Sequence, residues 1–252
     1  MSRFSRHQVL KRLQAELPRG GPFDLSVLAR FGVSPQLAAQ YADAGWLVRL
    51  GHGVYAFPND YFDIFGGLKL LQNRVAGLHI GGKSALALQG VRHNLGSTES
   101  CVLWGDKRYT LPDWFTSRFP SRYCHAKLFE WPDNELVRKT LTTPPGLPEH
   151  VVVACPERAV LELLYEVGVK QSLEEARNLF DGLRSPRKQV LGNLLSCCTS
   201  VKAVRLYLTW ARETELVDVD ALLEDFPVRT GSSSRWMTRL DDGTLLSLNP
   251  QG

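Results

Sequence analysis

Apolar residues recur at helical spacing in three short segments near the start of the chain. The first segment, SRHQVLKRLQAEL, carries an apolar stripe made of Val9, Leu10, Leu13 and Leu17. This pattern predicts a helix that ends at Pro18, and FDLSVLARFG predicts a second helix that ends at Gly32. A third helix is predicted to begin at Ser34 and Pro35 and to end at Gly45, because serine caps free N–H groups and proline fits the first helical position.

Two short apolar runs follow the third helix in the sequence WLVRLGHGVYAF. They flank Gly51, His52 and Gly53, a pattern typical of a β-hairpin. Three short helices and then a hairpin is the order of a winged helix-turn-helix, whose third helix enters the DNA major groove while the hairpin forms the wing. We therefore predict a DNA-binding domain over residues 1–57. A winged helix used only for protein contacts is the alternative, since a fold does not determine its function.

The predicted third helix offers two candidate base-reading side chains. Leu37, Ala38 and Tyr41 fall on its inner face, which leaves Gln36 and Gln40 outside and one turn apart. Glutamine can bond the edge of adenine, and an ordinary solvated helix face is the alternative for both residues. Basic residues nearby suit phosphates. The predicted DNA-binding set is Arg3, Arg6, Lys11, Arg12, Ser34, Gln36, Gln40, Arg49 and His52. The third helix itself has no Lys or Arg, which counts against DNA binding.

The segment after the hairpin has apolar residues at helical spacing again. They are Phe62, Phe65, Leu68, Leu71 and Val75. We predict a connecting helix or linker over residues 58–77, interrupted near Gly66 and Gly67 because glycine weakens a helix.

Residues 78–252 are predicted to form a C-terminal domain with a small sheet and a helical layer. The strand candidates are 78–80, 100–104, 122–130 and 151–155. From Pro156 the pattern predicts four helices, within ERAVLELLYEVG, SLEEARNLFDGL, PRKQVLGNLLSCC and SVKAVRLYLTWARE. The composition of RTGSSSRWMTR predicts a mobile basic loop, and LDDGTLLSLNP predicts a final hairpin or strand. The expected fold class is α+β, with a winged helix-turn-helix before a mixed α/β domain.

Residues 77–84, GLHIGGKS, match the phosphate-binding pattern G-x-x-x-x-G-K-S. A P-loop needs a buried strand before the loop, yet residues 58–76 predict a helix. Leu78, His79 and Ile80 are also too bulky for a loop whose N–H groups all turn toward one anion. We favour a strand-to-helix turn that needs small residues. A P-loop enzyme, with Asp106 after SCVLWGD as its metal-holding carboxylate, stays as the least favoured alternative.

The composition is that of an ordinary folded protein, with 44% hydrophobic and 22% charged residues in a chain of 252. The five cysteines are odd in number and form no C-x-x-C pair, which indicates free thiols in a reducing, cytoplasmic setting rather than disulfides or zinc. No apolar run approaches the roughly 18 residues of a membrane span. His125 beside Cys124 has no evident acidic partner, so we predict no enzyme, no cofactor and no metal.

The net charge of +4 is unevenly placed, and one stretch of the second half is strongly basic. Residues 182–212 contain no acid and six basic residues, namely Arg184, Arg187, Lys188, Lys202, Arg205 and Arg212. These six predict a positive surface on the C-terminal domain for nucleic-acid phosphates. An ordinary solvated helix face is the alternative.

Three segments together resemble one protein family. They are the turn and helix HIGGKSALALQGV, the hairpin end GVYAF, and the strand and helix VVVACPERAVLELL. Their order is similar to that of the AbiEi antitoxins of bacterial abortive-infection, type IV toxin–antitoxin systems, which act in defence against phage. The resemblance covers at least residues 5–212.

This resemblance implies a function that the residues alone do not show. The C-terminal domain would neutralise a nucleotidyltransferase-like toxin, without requiring a stable complex. The N-terminal domain would repress its own operon by binding double-stranded DNA at inverted repeats in the promoter. A stand-alone winged-helix regulator, with a ligand-sensing C-terminal domain, is the alternative from a different functional class.

Overall fold

The computed structural model of the protein describes residues 6–17, 19–92, 100–240 and 243–250. The helices are α1 (Arg6–Glu16), α2 (Leu25–Arg30), α3 (Pro35–Asp43), α4 (Ile64–Gln72), α5 (Gly82–Leu88), α6 (Asp113–Thr116), α7 (Asn134–Lys139), α8 (Pro156–Glu166), α9 (Leu173–Asp181), α10 (Lys188–Cys197), α11 (Val201–Glu213) and α12 (Val219–Asp225). The strands are β1 (Phe23–Asp24), β2 (Val48–Gly51), β3 (Val54–Ala56), β4 (His79–Ile80), β5 (Cys101–Trp104), β6 (Ser121–Cys124), β7 (Leu141–Thr142), β8 (Val153–Ala154), β9 (Trp236–Arg239) and β10 (Leu245–Leu248). The fold is therefore a mixture of helices and small sheets, as the α+β prediction requires.

The chain divides into two compact units. The first unit contains residues 1–76 and 109–120, and the second contains residues 77–108 and 121–252. Residues 58–76 of the predicted linker 58–77 thus belong to the first unit. Helix α6, which comes later in the chain, belongs to the first unit as well.

The first unit contains a small antiparallel sheet with the strand order β1-β3-β2. Its core includes Leu13 of α1, Leu28 of α2, Ala38 of α3 and Phe57, all buried. The Asp24 side chain caps α2 by accepting hydrogen bonds from two backbone N–H groups of its first turn. The predicted order of three helices and a hairpin is therefore present, with β1 as an additional strand.

The predicted interruption of α4 at its two glycines is wrong. The helix runs without a break from Ile64 to Gln72. A Cβ atom on Gly66 would collide with the carbonyl of Gly20, and one on Gly67 would lie 2.9 Å from the ring of Phe115. These glycines allow close packing, and that gain offsets their low helix propensity.

The second unit is built on a five-stranded mixed sheet with the order β6-β5-β4-β8-β7. Strands β4, β5 and β8 lie within the predicted segments, whereas the predicted strand 122–130 is shortened to Ser121–Cys124. Strand β7 is not predicted by the sequence, because its two residues, unlike those of β4 and β8, do not lie in an apolar run.

The helical layer of the second unit contains the four predicted helices, α8 to α11, and also α12. The predicted mobile loop at 229–239 is wrong in part, because Trp236–Arg239 forms β9 and pairs with β10 in an antiparallel hairpin. None of the helices in the described ranges is both long and apolar enough to cross a membrane. Within the same ranges, no three His, Cys, Asp or Glu side chains are grouped so that they could hold a metal ion.

Candidate nucleic-acid interface

Helix α3 presents its two glutamines to solvent. The Oγ of Ser34 caps the helix by accepting a hydrogen bond of 3.2 Å from the backbone N–H of Leu37. Ala38 and Tyr41 are buried in the core of the first unit, which fixes the rotation of the helix. Gln36 and Gln40 are exposed on the opposite side. Their amides are free to contact a partner, as the helical pattern predicts.

The hairpin β2–β3 carries the other two predicted contact residues. Arg49 and His52 are both exposed, and the turn is possible because Gly53 adopts a φ of +67°. Arg49 lines a shallow depression of about 420 Å³ together with Ala39 and Asp43 of α3. The structure therefore brings the hairpin arginine next to α3, although the carboxylate of Asp43 lies there too.

Helix α1 contributes less free charge than its sequence suggests. Lys11 is exposed, but the guanidinium of Arg12 forms an ion pair of 3.0 Å with Glu16 one turn later. Arg3 lies outside the described residues, and Arg6 is described only as backbone at the start of α1. The role of these four residues in DNA binding stays a prediction.

Two exposed side chains near this surface were missed by the sequence reasoning. Arg30 lies in the last turn of α2, directly before the turn into α3, and it is exposed. Trp46, just after α3, is 45% exposed, a high value for a large aromatic side chain. The sequence signal for Arg30 was its position beside the turn; Trp46 had none, because apolar residues after a helix are normally core.

The six basic residues of 182–212 do not form one positive surface. Arg205 is buried and donates hydrogen bonds to the backbone carbonyls of Thr230, Ser232 and Ser234. Lys202 is partly buried and donates to the carbonyls of Tyr165 and Val167, both at 2.7 Å. These two residues are therefore structural, and the prediction of a surface role for them is wrong.

The four remaining residues of that stretch are exposed, and three of them have acidic partners. Arg187 pairs with Glu157, Lys188 with Asp225 and Arg212 with Asp220. Arg184 donates to the carbonyls of Asp181 and Leu183, and it has no acidic partner among the residues that the structure describes. The positive electrostatic potential that could attract a nucleic acid is thus much weaker than the count of six basic residues implies.

The turn within GLHIGGKS is hydrogen-bonded to a carboxylate of the chain itself, that of Glu162. Its middle residues form the central strand β4, and α5 begins at Gly82. The backbone N–H of Gly82 donates to Oε2 of Glu162 at 3.0 Å, and the Nζ of Lys83 donates to Glu175 at 2.9 Å. The hydroxyl of Ser84 accepts a hydrogen bond from the backbone N–H of Val102. The groups that would hold phosphates and a metal in a P-loop are therefore engaged within the chain.

Glu162 lies at the centre of a buried ionic network. Its Oε1 is 2.8 Å from the Nε2 of His79 and 2.8 Å from the Nε of Arg158. The Nδ1 of His79 lies 2.7 Å from the carbonyl oxygen of Gly77, so both ring nitrogens have an oxygen within hydrogen-bond distance. Burial would raise the pKa of Glu162, but the charges and hydrogen bonds of His79 and Arg158 lower it below its ordinary value.

Two further carboxylates of α8 are paired in the same manner. Glu157 accepts from the backbone N–H, Nε and Nη2 of Arg187, and Glu166 accepts from both terminal nitrogens of Arg122. Burial would raise the pKa of Glu157, but the hydrogen bonds that it accepts from Arg187 lower this pKa to about 2. These ion pairs explain why α8, an otherwise apolar helix, carries buried charged residues, and they make those residues structural.

Comparison with known proteins identifies the family. A model described as "Transcriptional regulator, AbiEi antitoxin N-terminal domain" matches residues 6–97, and one described as "Transcriptional regulator, AbiEi antitoxin, Type IV TA system" matches residues 98–248. The chain is also similar in fold to the RV2827C protein from Mycobacterium tuberculosis, with a TM-score of 0.54 and 19% identity over 92% of this chain and 88% of that one. No curated protein matches the chain. The two family matches confirm the resemblance seen in the sequence: the chain belongs to the AbiEi antitoxin family of transcriptional regulators of type IV toxin–antitoxin systems.

Proposed function

We propose that the protein is an antitoxin that also represses its own operon, and that it acts by binding rather than by catalysis. The N-terminal part is a winged helix-turn-helix that reads double-stranded DNA in its own promoter, at inverted repeats, in the cytoplasm. The remainder of the chain neutralises a nucleotidyltransferase-like toxin, and no stable complex is required. The observation that carries the DNA-binding half is the exposure of Gln36 and Gln40 on α3 beside the hairpin that holds Arg49.

The geometry supports reading of bases more than tight electrostatic binding. A helix can enter the major groove only with a free outer face, and the capped N-terminal half of α3 has one. Two glutamines one turn apart can each bond an adenine edge. Arg30, Arg49 and Lys11 are exposed cations of the same unit that can contact phosphates. With so few cations, we expect a modest salt dependence of binding.

The antitoxin half rests on the family match over residues 98–248. The paired carboxylates of α8 and the occupied turn at Gly82 leave no nucleotide site there, which favours a binding role over a P-loop enzyme. Truncation is a poor test of this division, because the first unit includes both α4 and α6. Substitutions on the surface of α3 separate the two activities without cutting a folded unit.

The test uses the full chain with Gln36 and Gln40 both changed to alanine. A reporter behind the protein's own promoter measures repression, and growth during expression of the cognate toxin measures neutralisation. We expect the double variant to lose repression and to keep neutralisation. Gln14→Ala, an exposed glutamine on α1, is the matched control and should keep both activities.

Two outcomes would count against the proposal. Repression that survives the double substitution would remove α3 from DNA reading. A wild-type protein that represses its promoter but fails to protect against the toxin would favour the alternative, a stand-alone regulator whose second unit senses a ligand.

A further inference from the structure

A cleft of about 520 Å³ opens in the second unit beside the buried ionic network. Its floor contains Trp104, Arg158 and the His79–Glu162 pair, and one wall is the segment from Ala126 to Trp131. This volume lies in the range of sites that hold small molecules. None of the residues proposed to contact DNA lines it.

The floor of this cleft presents hydrogen-bond donors that lack acceptors. The indole Nε1 of Trp104 is buried and has no hydrogen-bond partner in the part of the chain that the structure describes. Arg158 is only 6% exposed, and its hydrogen bonds to described residues run from Nε to Glu162 and from Nη1 to Thr140. The second terminal nitrogen, Nη2, has none of its own there. A fully buried donor such as the Trp104 Nε1 is costly unless a ligand or water completes its hydrogen bond.

Most of the carboxylate acceptors that line the cleft are already bonded within the chain. Glu162 already accepts three hydrogen bonds, and Glu130 pairs with Arg229 at 2.9 Å. Asp106 is an exposed carboxylate on the rim, and the exposed ammonium of Lys127 on the wall offsets its charge. The floor of the cleft therefore suits a ligand that supplies hydrogen-bond acceptors. The charges of Asp106 and Lys127 on the rim and wall nearly cancel.

Aromatic rings hold Arg158 in place and offer a flat surface. The guanidinium lies 5.0 Å from the ring centroid of Trp131 and 5.7 Å from that of Phe129. Both rings line the cleft. A guanidinium fixed in this way loses little freedom on binding an oxyanion, which favours affinity.

We propose that this cleft binds a small molecule that joins an oxyanion, carboxylate or phosphate, to a flat apolar body. The oxyanion accepts from Arg158 and from the Trp104 indole, and the body packs against Trp131 and Phe129. Lys127 assists by its charge at the entrance. This site shares no residue with the DNA-reading surface, and its existence does not depend on the antitoxin role.

The test is titration calorimetry of the full-length protein with three probes of one shape: benzoate, phenyl phosphate and the neutral benzamide. We expect saturable binding of at least one of the two oxyanions and much weaker binding of benzamide. The oxyanion that binds more tightly identifies the carboxylate or the phosphate class. Trp104→Phe should weaken that binding by about tenfold, because it removes one charge-assisted hydrogen bond.

A matched control exists for each variant. The indole of Trp114 is also buried without a partner among the described residues but belongs to the first unit, so Trp114→Phe should leave binding unchanged. Lys127→Glu, at an exposed position that tolerates substitution, should weaken binding severalfold, whereas Lys170→Glu, exposed elsewhere in the second unit, should not. Absence of binding by both oxyanions, equal binding of benzamide, or equal loss in the test and control variants would overturn the proposal.

Discussion

The carboxylate of Glu162 accepts a hydrogen bond of 3.0 Å from the backbone N–H of Gly82, at the first turn of α5. The positive end of a helix attracts an anion, and here the anion belongs to the chain itself. A Cβ atom on Gly81 would collide with this carboxylate and with the ring of Trp104, and Gly82 adopts a φ of +51°. Gly81 is therefore required by the buried carboxylate of Glu162, and Gly82, the second glycine of the P-loop pattern, by its left-handed backbone.

The first prediction concerns Glu162. Glu162→Gln leaves Arg158 buried without its countercharge, so the free energy of unfolding should fall by about 3 kcal/mol or more. Urea denaturation near neutral pH measures this loss. Glu135→Gln breaks an exposed pair with Lys139 and should leave the free energy of unfolding nearly unchanged, because water screens such pairs. A loss below about 1 kcal/mol for Glu162→Gln would show that the network is not structural.

The second prediction concerns nucleotide binding. The full chain should show no saturable binding of Mg-ATP, because the backbone and side chains of residues 82–84 are already bonded within the protein. Lys83→Ala should cost at most about 1 kcal/mol of stability, since its pair with Glu175 is partly exposed. Calorimetric titration tests both proteins. Binding of Mg-ATP by the wild type that Lys83→Ala abolishes would restore the P-loop interpretation.

The elements near the N-terminus could be predicted because their signals are local. Ser34 and Pro35 define the start of α3, and Gly53 defines the hairpin turn, within a few residues of the structure that they specify. The uninterrupted α4 could not be predicted, because the reason for its glycines is Gly20 and Phe115, both more than 40 residues away in sequence.

The buried charges show the same limit for the candidate sites. Arg205 reads as one more basic residue of a positive stretch, but its acceptors are carbonyls 25 to 43 residues further along the chain. Glu162 reads as a polar position on α8, and its partner His79 lies 83 residues earlier. The available signal was the presence of several charged residues on a helix that is otherwise apolar. Such residues are rarely buried unless they are paired.

The third prediction concerns acid stability through Glu157. The pKa of this carboxyl falls from 4.5 to about 2 on folding, so its contribution is present above about pH 4.5 and is lost as the pH falls toward 2. The difference in unfolding free energy between wild type and Glu157→Gln should therefore shrink by at most about 2 kcal/mol from about pH 5 to about pH 3. Urea denaturation across this range measures it. A difference that does not change with pH would mean that Arg187 does not stabilise the carboxylate.

The fourth prediction concerns Arg205. Its guanidinium bonds carbonyls of the segment that leads into β9, and it also reaches the carbonyl of Leu248 at the end of β10. Arg205→Gln should cost about 2 kcal/mol or more and speed hydrogen exchange of the β9–β10 hairpin, because four backbone carbonyls lose a buried donor. Arg184→Gln, at an exposed position, should change neither quantity. Unchanged exchange in Arg205→Gln would contradict a structural role for this residue.

We propose that α3 and its neighbouring hairpin read a DNA sequence. The most direct test titrates the full chain against the duplex immediately upstream of its own gene, and against a scrambled duplex, at several salt concentrations. We expect the upstream duplex to bind more tightly by several kcal/mol at physiological salt, and we expect the Gln36, Gln40 and Arg49 alanine variants to reduce that preference by about 1–3 kcal/mol each. Equal, weak and steeply salt-dependent binding to both duplexes would indicate only a basic surface that attracts phosphates. It would contradict sequence-specific reading of DNA by α3 and the hairpin.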